Sequence, residues 1–149
     1  MTGNADVVSV EATRAAHEVR VVFGRLRRRL REIAGAHDLT PSQVSVLSRL
    51  DKDGPASASE LAAAERIRPQ SMAATLAVLG QHGLIRRDAD PGDGRRQLVS
   101  LTAAGTERIE GDRQAREEWL ARTLQERYTD AERRTVLEGL ALLDRLTQP

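Results

Sequence analysis

The sequence predicts a mainly α fold with one small β-hairpin past its middle and a long helix region at each end. Three observations lead there. Apolar residues recur at spacings of three and four along most of the 149 residues. The pattern turns β-like only in two short runs on either side of Asp90-Pro91-Gly92-Asp93-Gly94. Helix-capping residues, rather than low-complexity linkers, separate the other segments.

The first helix is expected over residues 7–36. Val19, Val22, Phe23, Leu26, Leu30, Ile33 and Ala34 form one stripe, with Arg20, Arg27, Arg28 and Arg31 mostly off it. A helix of about 28 residues spans roughly 40 Å, long for so small a domain, so part of it should meet another subunit. Thr40-Pro41-Ser42-Gln43 starts the second helix with a capping-box pattern and a proline at the first helical position. Val44, Leu47 and Leu50 follow, and Asp53-Gly54-Pro55 stops it.

Ser57 and Glu60 match a second capping box, opening a short helix with Leu61, Ala62, Ala64 and Ile67. Pro69 begins the next, whose Met72, Leu76 and Leu79 should face the core until Gly83 ends it. Leu84–Asp88 and Gln97–Leu101 then read as the hairpin strands. Thr102 begins a second long helix reaching about Glu126, anchored by Trp119, Leu120 and Leu124. Thr129 or Asp130 caps a last helix carrying Val136, Leu137, Leu140, Leu143 and Leu146.

Composition narrows the function. The chain has no cysteine, which excludes disulfides, thiolate metal ligands, cysteine nucleophiles and thiol redox switching. No apolar run approaches the ~18–20 residues of a membrane helix, and no secretory signal is recognisable, so a soluble cytoplasmic protein is expected. The formal net charge is +1, divided as +2 over residues 1–56, +1 over 57–102 and −2 over 103–149. That balance does not support indiscriminate polyanion binding but leaves room for a local basic surface. Lys52 is the only lysine among 23 basic residues. The arginine excess fits a GC-rich genome, and also fits anion contact through the guanidinium fork.

Three helices followed by a hairpin is the layout of a winged helix-turn-helix. One face of its second paired helix packs while the other can enter a DNA major groove. The specific residues are Gly83-Leu84-Ile85 with Arg87, then Asp93-Gly94-Arg95, then Leu98-Val99-Ser100-Leu101-Thr102 and Gly105. With Leu39–Gln43 and Ser59–Ala62, these resemble, in order and spacing, the MarR-type transcriptional regulators over nearly the whole chain. The resemblance implies a winged helix-turn-helix DNA-binding domain at 37–102 between helical dimerisation regions at 1–36 and 103–149. It also implies a homodimer on a pseudo-palindromic operator, usually a repressor, often relieved by a small aromatic or phenolic ligand. No metal or cofactor is expected.

Candidate DNA-binding residues follow from that layout. Arg68, Pro69, Gln70, Ser71, Ala74 and Thr75 begin the recognition helix; Gln can pair with adenine and Ser with base or phosphate. The family commonly has a Thr-Arg pair after the residue matching Met72, where this chain has Ala73-Ala74. Alanine makes no polar base contact, so Gln70, DNA shape and the wing should carry more of the recognition. Arg95 matches the family's wing arginine and Asp93 the acid that shapes the tip. Alternatively these two close the hairpin by a local ion pair, leaving Arg96 as the groove residue. Only one of Arg86 and Arg87 should face DNA, and Arg87 is favoured by family position.

The resemblance places an effector pocket where the first, second and fifth helices meet. Val22, Leu26, Leu47 and Trp119 are its candidates and are equally readable as core. Val7, Val8 and Val10 at one end and Val136, Leu137, Leu140, Leu143 and Leu146 at the other are expected at the dimer interface. Competing readings find less support. Leu26 and Leu30 interrupt the arginine run at helical spacing, so it reads as one side of an amphipathic helix rather than an RNA-binding segment. His17, His37 and His82 lie in separate elements, with no nucleophile motif or phosphate loop to suggest an enzyme. An interaction module that retains the fold with weak or lost DNA binding stays open because of Ala73-Ala74.

Overall fold

The computed structural model describes residues 7–35 and 38–149. Its elements run α1 (Val10–Ile33), α2 (Pro41–Asp53), α3 (Ala58–Glu65), α4 (Pro69–Gln81), β1 (Ile85–Asp90), β2 (Asp93–Leu101), α5 (Ala103–Arg127) and α6 (Asp130–Asp144). A short 3-10 turn, Arg145–Thr147, follows α6. This is the mainly helical winged helix-turn-helix the sequence predicts.

Local chemistry sets the boundaries. α1 is shorter than the expected 7–36. Ser9 Oγ accepts the Ala12 N–H at 3.0 Å and starts the helix at Val10, so Val7 and Val8 precede it. Gly35, at φ +64°, ends it. The expected limit at residue 36, residues 1–6 and the beginning of the predicted central domain at residue 37 lie outside the described residues. The capping boxes form at Thr40–Gln43 and Ser57–Glu60, and a third at Thr129–Glu132 makes Thr129 the cap of α6. Arg66 takes the left-handed conformation, φ 54°, in the turn between α3 and α4.

The buried core belongs to the middle of the chain. Val46, Leu47 and Leu50 of α2, Leu61 of α3, and Met72, Leu76 and Leu79 of α4 pack with Ile85 and Val99 at the base of the hairpin. Each such side chain contributes roughly 1.5–3 kcal/mol by leaving water. Neither α1 nor α6 has a buried residue. Arg49 Nε and Ser45 Oγ both donate to Glu65, at 2.7 and 2.8 Å, and tie α2 to α3. On α5, Arg108 holds Asp38 with two bonds of 2.7 and 3.1 Å, while Arg113 reaches Asp51 of α2 at 3.0 Å.

The hairpin is pinned at its base. Thr102 Oγ1 donates to the Gly83 carbonyl at 2.6 Å and accepts the Gly105 N–H at 3.1 Å, capping α5. The Thr102 N–H donates to the Leu84 carbonyl at 3.1 Å. A Cβ on Gly105 would lie 2.1 Å from that same oxygen, so only glycine fits. Ala56 and Val99 exchange two backbone hydrogen bonds, 2.8 and 3.1 Å, giving the hairpin a one-residue third strand.

Candidate nucleic-acid interface

Burial of Met72, Leu76 and Leu79 turns the opposite side of α4 outward. Arg68, Pro69, Gln70, Ser71, Ala73 and Ala74 are exposed there. Arg68 is the N-cap residue, and no side chain accepts from the first-turn amides. Those amides and the helix dipole are therefore available to an anion, with the Arg68 guanidinium adjacent in sequence. Thr75 is half-buried and its hydroxyl donates to the Ser71 carbonyl at 3.0 Å. It can still accept a hydrogen bond, but its donor is engaged within the helix.

The wing departs from a regular ladder at its tip. Pairing runs from Ile85–Leu101 to Ala89–Gln97 and then slips to Asp90–Asp93. Gly94, Arg95 and Arg96 have no partner on β1 in that register. Such a bulge re-aims side chains, so strand alternation does not predict their direction. Asp90 Oδ1 accepts the Gly92 N–H at 2.9 Å and Asp93 Oδ1 accepts the Arg95 N–H at 3.1 Å. Asp93 thus shapes the tip through the backbone. Among the described residues no carboxylate lies within ion-pairing distance of the exposed Arg95.

Arg96 behaves differently. It pairs with Glu60 at the start of α3, and its Nε lies 3.6 Å from Asp90 Oδ2. The Glu60 carboxyl is held below the usual glutamate range, first by the Ser57 backbone N–H and then by Arg96. The base of the wing also differs from the expectation of one inward and one outward arginine. Arg86 and Arg87 are both exposed, and Arg86 pairs with Asp88 at 3.0 Å. The reason is that β1 leaves the core immediately after Ile85, so water reaches both faces. The sequence placed Asp90 in the turn but did not reveal its approach to Arg96, the pairing of Ala56 or the second role of Glu60. Glu60 carries a capping signal, but its wing partner is 36 residues away and leaves no local pattern.

Comparisons with known proteins bear on this architecture. The model of the MarR family matches residues 39–96, from the end of the loop before α2 to the wing. An uncharacterized HTH-type transcriptional regulator of Mycobacterium leprae is 35% identical over 86% of this chain and 88% of its own length. The chain belongs to the MarR family. A putative transcriptional regulator of Pseudomonas aeruginosa has the same structure at 38% identity, with TM-score 0.85 over 95% of this chain and 99% of that one. A mutant MepR of S. aureus, solved bound to an oligodeoxyribonucleotide, shares the fold at 20% identity, with TM-score 0.70 over 90% and 98% of the two chains. This MarR-family chain is therefore a transcriptional regulator. No helix among its described residues is long and apolar enough to cross a membrane.

Where α1, α2 and α5 of this regulator meet, a cavity of about 450 Å³ opens. Phe23, Leu26, Leu30, Pro41 and Val44 give it apolar walls, Ser45 and Ser48 add hydroxyls, and Arg27, Arg31 and Arg116 add charge. Of the expected pocket residues, Leu26 lines it. Leu47 is buried in the core and borders a smaller neighbouring void. Val22 projects to solvent from α1. Trp119 is half-buried against the Arg29 guanidinium, 5.5 Å from its ring centroid, and is absent from the lining. The missed signal is the pair Arg27 and Arg31, one helical turn apart beside the Phe23, Leu26, Leu30 stripe.

The expected interface residues lie on both end regions. Val7, Val8 and Val10 are exposed, at 91%, 69% and 85%, as are Leu137, Leu140 and Leu146 of the C-terminal region. Val136 and Leu143 are half-buried. Leu142, outside the sequence-based set, is exposed too.

Proposed function

We propose that the protein is a homodimeric repressor that places two α4 helices and two wings on a pseudo-palindromic operator. The observation that carries this reading is the pairing of two surfaces. The first comprises an open α4 N-terminus and a wing whose Arg95 is unpaired among the described residues. The second is the apolar side of both end regions, which the chain leaves uncovered. In this reading residues 37–102 form the DNA-binding unit and the flanking helices the dimerisation unit. Arg68, Gln70, Ser71, Thr75, Arg87 and Arg95 contact DNA, with Pro69, Ala74 and Asp93 shaping the surface. An oligonucleotide-bound relative of the same fold supports it. A cytoplasmic location is part of the same reading.

The cavity is the proposed effector site. Its apolar walls suit an aliphatic or aromatic compound, and Arg27, Arg31 and Arg116 would favour one bearing an acid group. It lies between α1 of the dimerisation unit and α2 of the DNA-binding unit, so an occupant could change their relative pose.

The test combines a gel shift, using the DNA flanking the protein's own gene, with light scattering. A folded dimer that retards this DNA and is released by an added aromatic acid is the expected outcome. A folded dimer that retards none at low salt would replace this reading with that of an interaction module. The exposed Ala73 and Ala74, which offer no polar group to a base, are what favour that second reading.

A further inference from the structure

We propose that Arg96 is a positioning residue rather than a DNA contact: it latches the bulged wing tip to the first turn of α3 and so aims Arg95. This deepens the DNA-binding reading above and rests on it for its consequence, though not for its geometry. Gly94, Arg95 and Arg96 sit where the β1–β2 register slips, so no ladder partner fixes them. What holds the segment is the Asp93 carboxylate on the Arg95 N–H and the Arg96 side chain on two acids.

Glu60 divides its carboxylate between two tasks. Oε2 accepts the Ser57 N–H at 2.9 Å and completes the α3 capping box. Oε1 accepts from Arg96 Nη2. Asp90 is divided in the same way: Oδ1 orders the turn through Gly92 while Oδ2 faces Arg96 Nε. That Nε is shielded from solvent and has no hydrogen-bond acceptor within range. Arg96 therefore turns Nη2 toward Glu60 and Nε toward Asp90, while its side chain stays 40% exposed.

A single exposed ion pair contributes little to stability. Here the contact has a different consequence, because it fixes a segment that has no strand partner. A second link, Ala56–Val99, holds the same hairpin nearer its base. The two together orient the wing as a lever against the segment that begins α3.

Glu60→Gln isolates the latch. Glutamine at this position retains a capping-box acceptor, so α3 should still start at Ala58. The charge of the pair is lost. If Arg96 instead bound phosphate, removing a nearby acid would leave operator affinity unchanged or raise it. The latch requires the opposite sign.

Two measurements test this. Amide hydrogen exchange on the DNA-free protein should show Gly94–Gln97 exchanging several-fold faster in Glu60→Gln, with α3 amides unchanged. Anisotropy on a duplex selected from a random library should show roughly tenfold weaker binding by Glu60→Gln. That loss should vanish in an Arg95→Ala background, because the latch acts through Arg95. Unchanged wing exchange, equal or tighter binding, or a full additional loss on top of Arg95→Ala would each overturn the proposal. A wild-type dimer that selects no duplex would overturn the DNA-binding reading alone, and the exchange result would still decide the latch.

Discussion

Arg95 and Arg96 are neighbours of one residue type, yet their surroundings differ. Arg95 is solvated and unpaired among the described residues; Arg96 is held by Glu60 and Asp90. Arg95→Ala should accordingly weaken operator binding by about 1–3 kcal/mol at moderate salt, as titration by anisotropy would show. Gly105 carries a different constraint. A methyl group there meets the Leu84 carbonyl at 2.1 Å, and that oxygen already accepts the Thr102 N–H. Moving it would break the lock at the base of the wing. Gly105→Ala should destabilise the fold by about 1–3 kcal/mol or more, read from the urea midpoint at constant m-value.

At the scale of elements, the angle between α2 and α3 is held by Ser45, Arg49 and Glu65. Hydrogen bonding from Arg49, followed by that from Ser45, outweighs partial burial and keeps the Glu65 carboxyl below its usual value of 4.5. The folded state thus binds this proton less readily than the unfolded chain. The linked stability is complete above the ordinary glutamate range and is lost as pH falls through the lowered folded value. Glu65→Gln should be less stable than wild type at neutral pH and lose less of its stability below pH 4.5, as thermal melts across that range would show. Arg133 serves another element boundary. Its guanidinium donates to the Leu124 carbonyl at 3.0 Å, satisfying a free group at the end of α5 and setting the turn into α6.

The whole molecule divides into a compact middle and two uncovered ends. Among the described residues, all the buried apolar side chains lie from Leu39 to Val99. The end helices instead expose Val10, Leu137, Leu140, Leu142 and Leu146. A second copy covering them would explain the excess of exposed apolar surface. Leu140→Glu should therefore shift the protein toward monomer, measured by sedimentation at micromolar concentration. Under the proposed dimeric reading the same variant should bind operator DNA weakly, since a monomer would engage one half-site only. A dimer as tight as wild type would remove Leu140 from the interface.

Much of this was written in local sequence. The capping boxes at Thr40, Ser57 and Thr129, the Gly83 stop and the Asp90–Gly94 turn each depend on groups a few residues apart. Their chemistry is complete within one segment, so it can be read without the fold. The periodic burial of Met72, Leu76 and Leu79 is legible for the same reason, and it left Gln70 and Ser71 facing outward. The tertiary structure decided what depends on distant groups meeting. It placed Arg96 on Glu60, put Arg27, Arg31 and Arg116 around one cavity, and gave Trp119 to Arg29 instead. It also bulged the wing where alternation would have continued the strand. Side-chain direction at a bulge, and partnership across 36 residues of chain, are set by packing rather than by local preference.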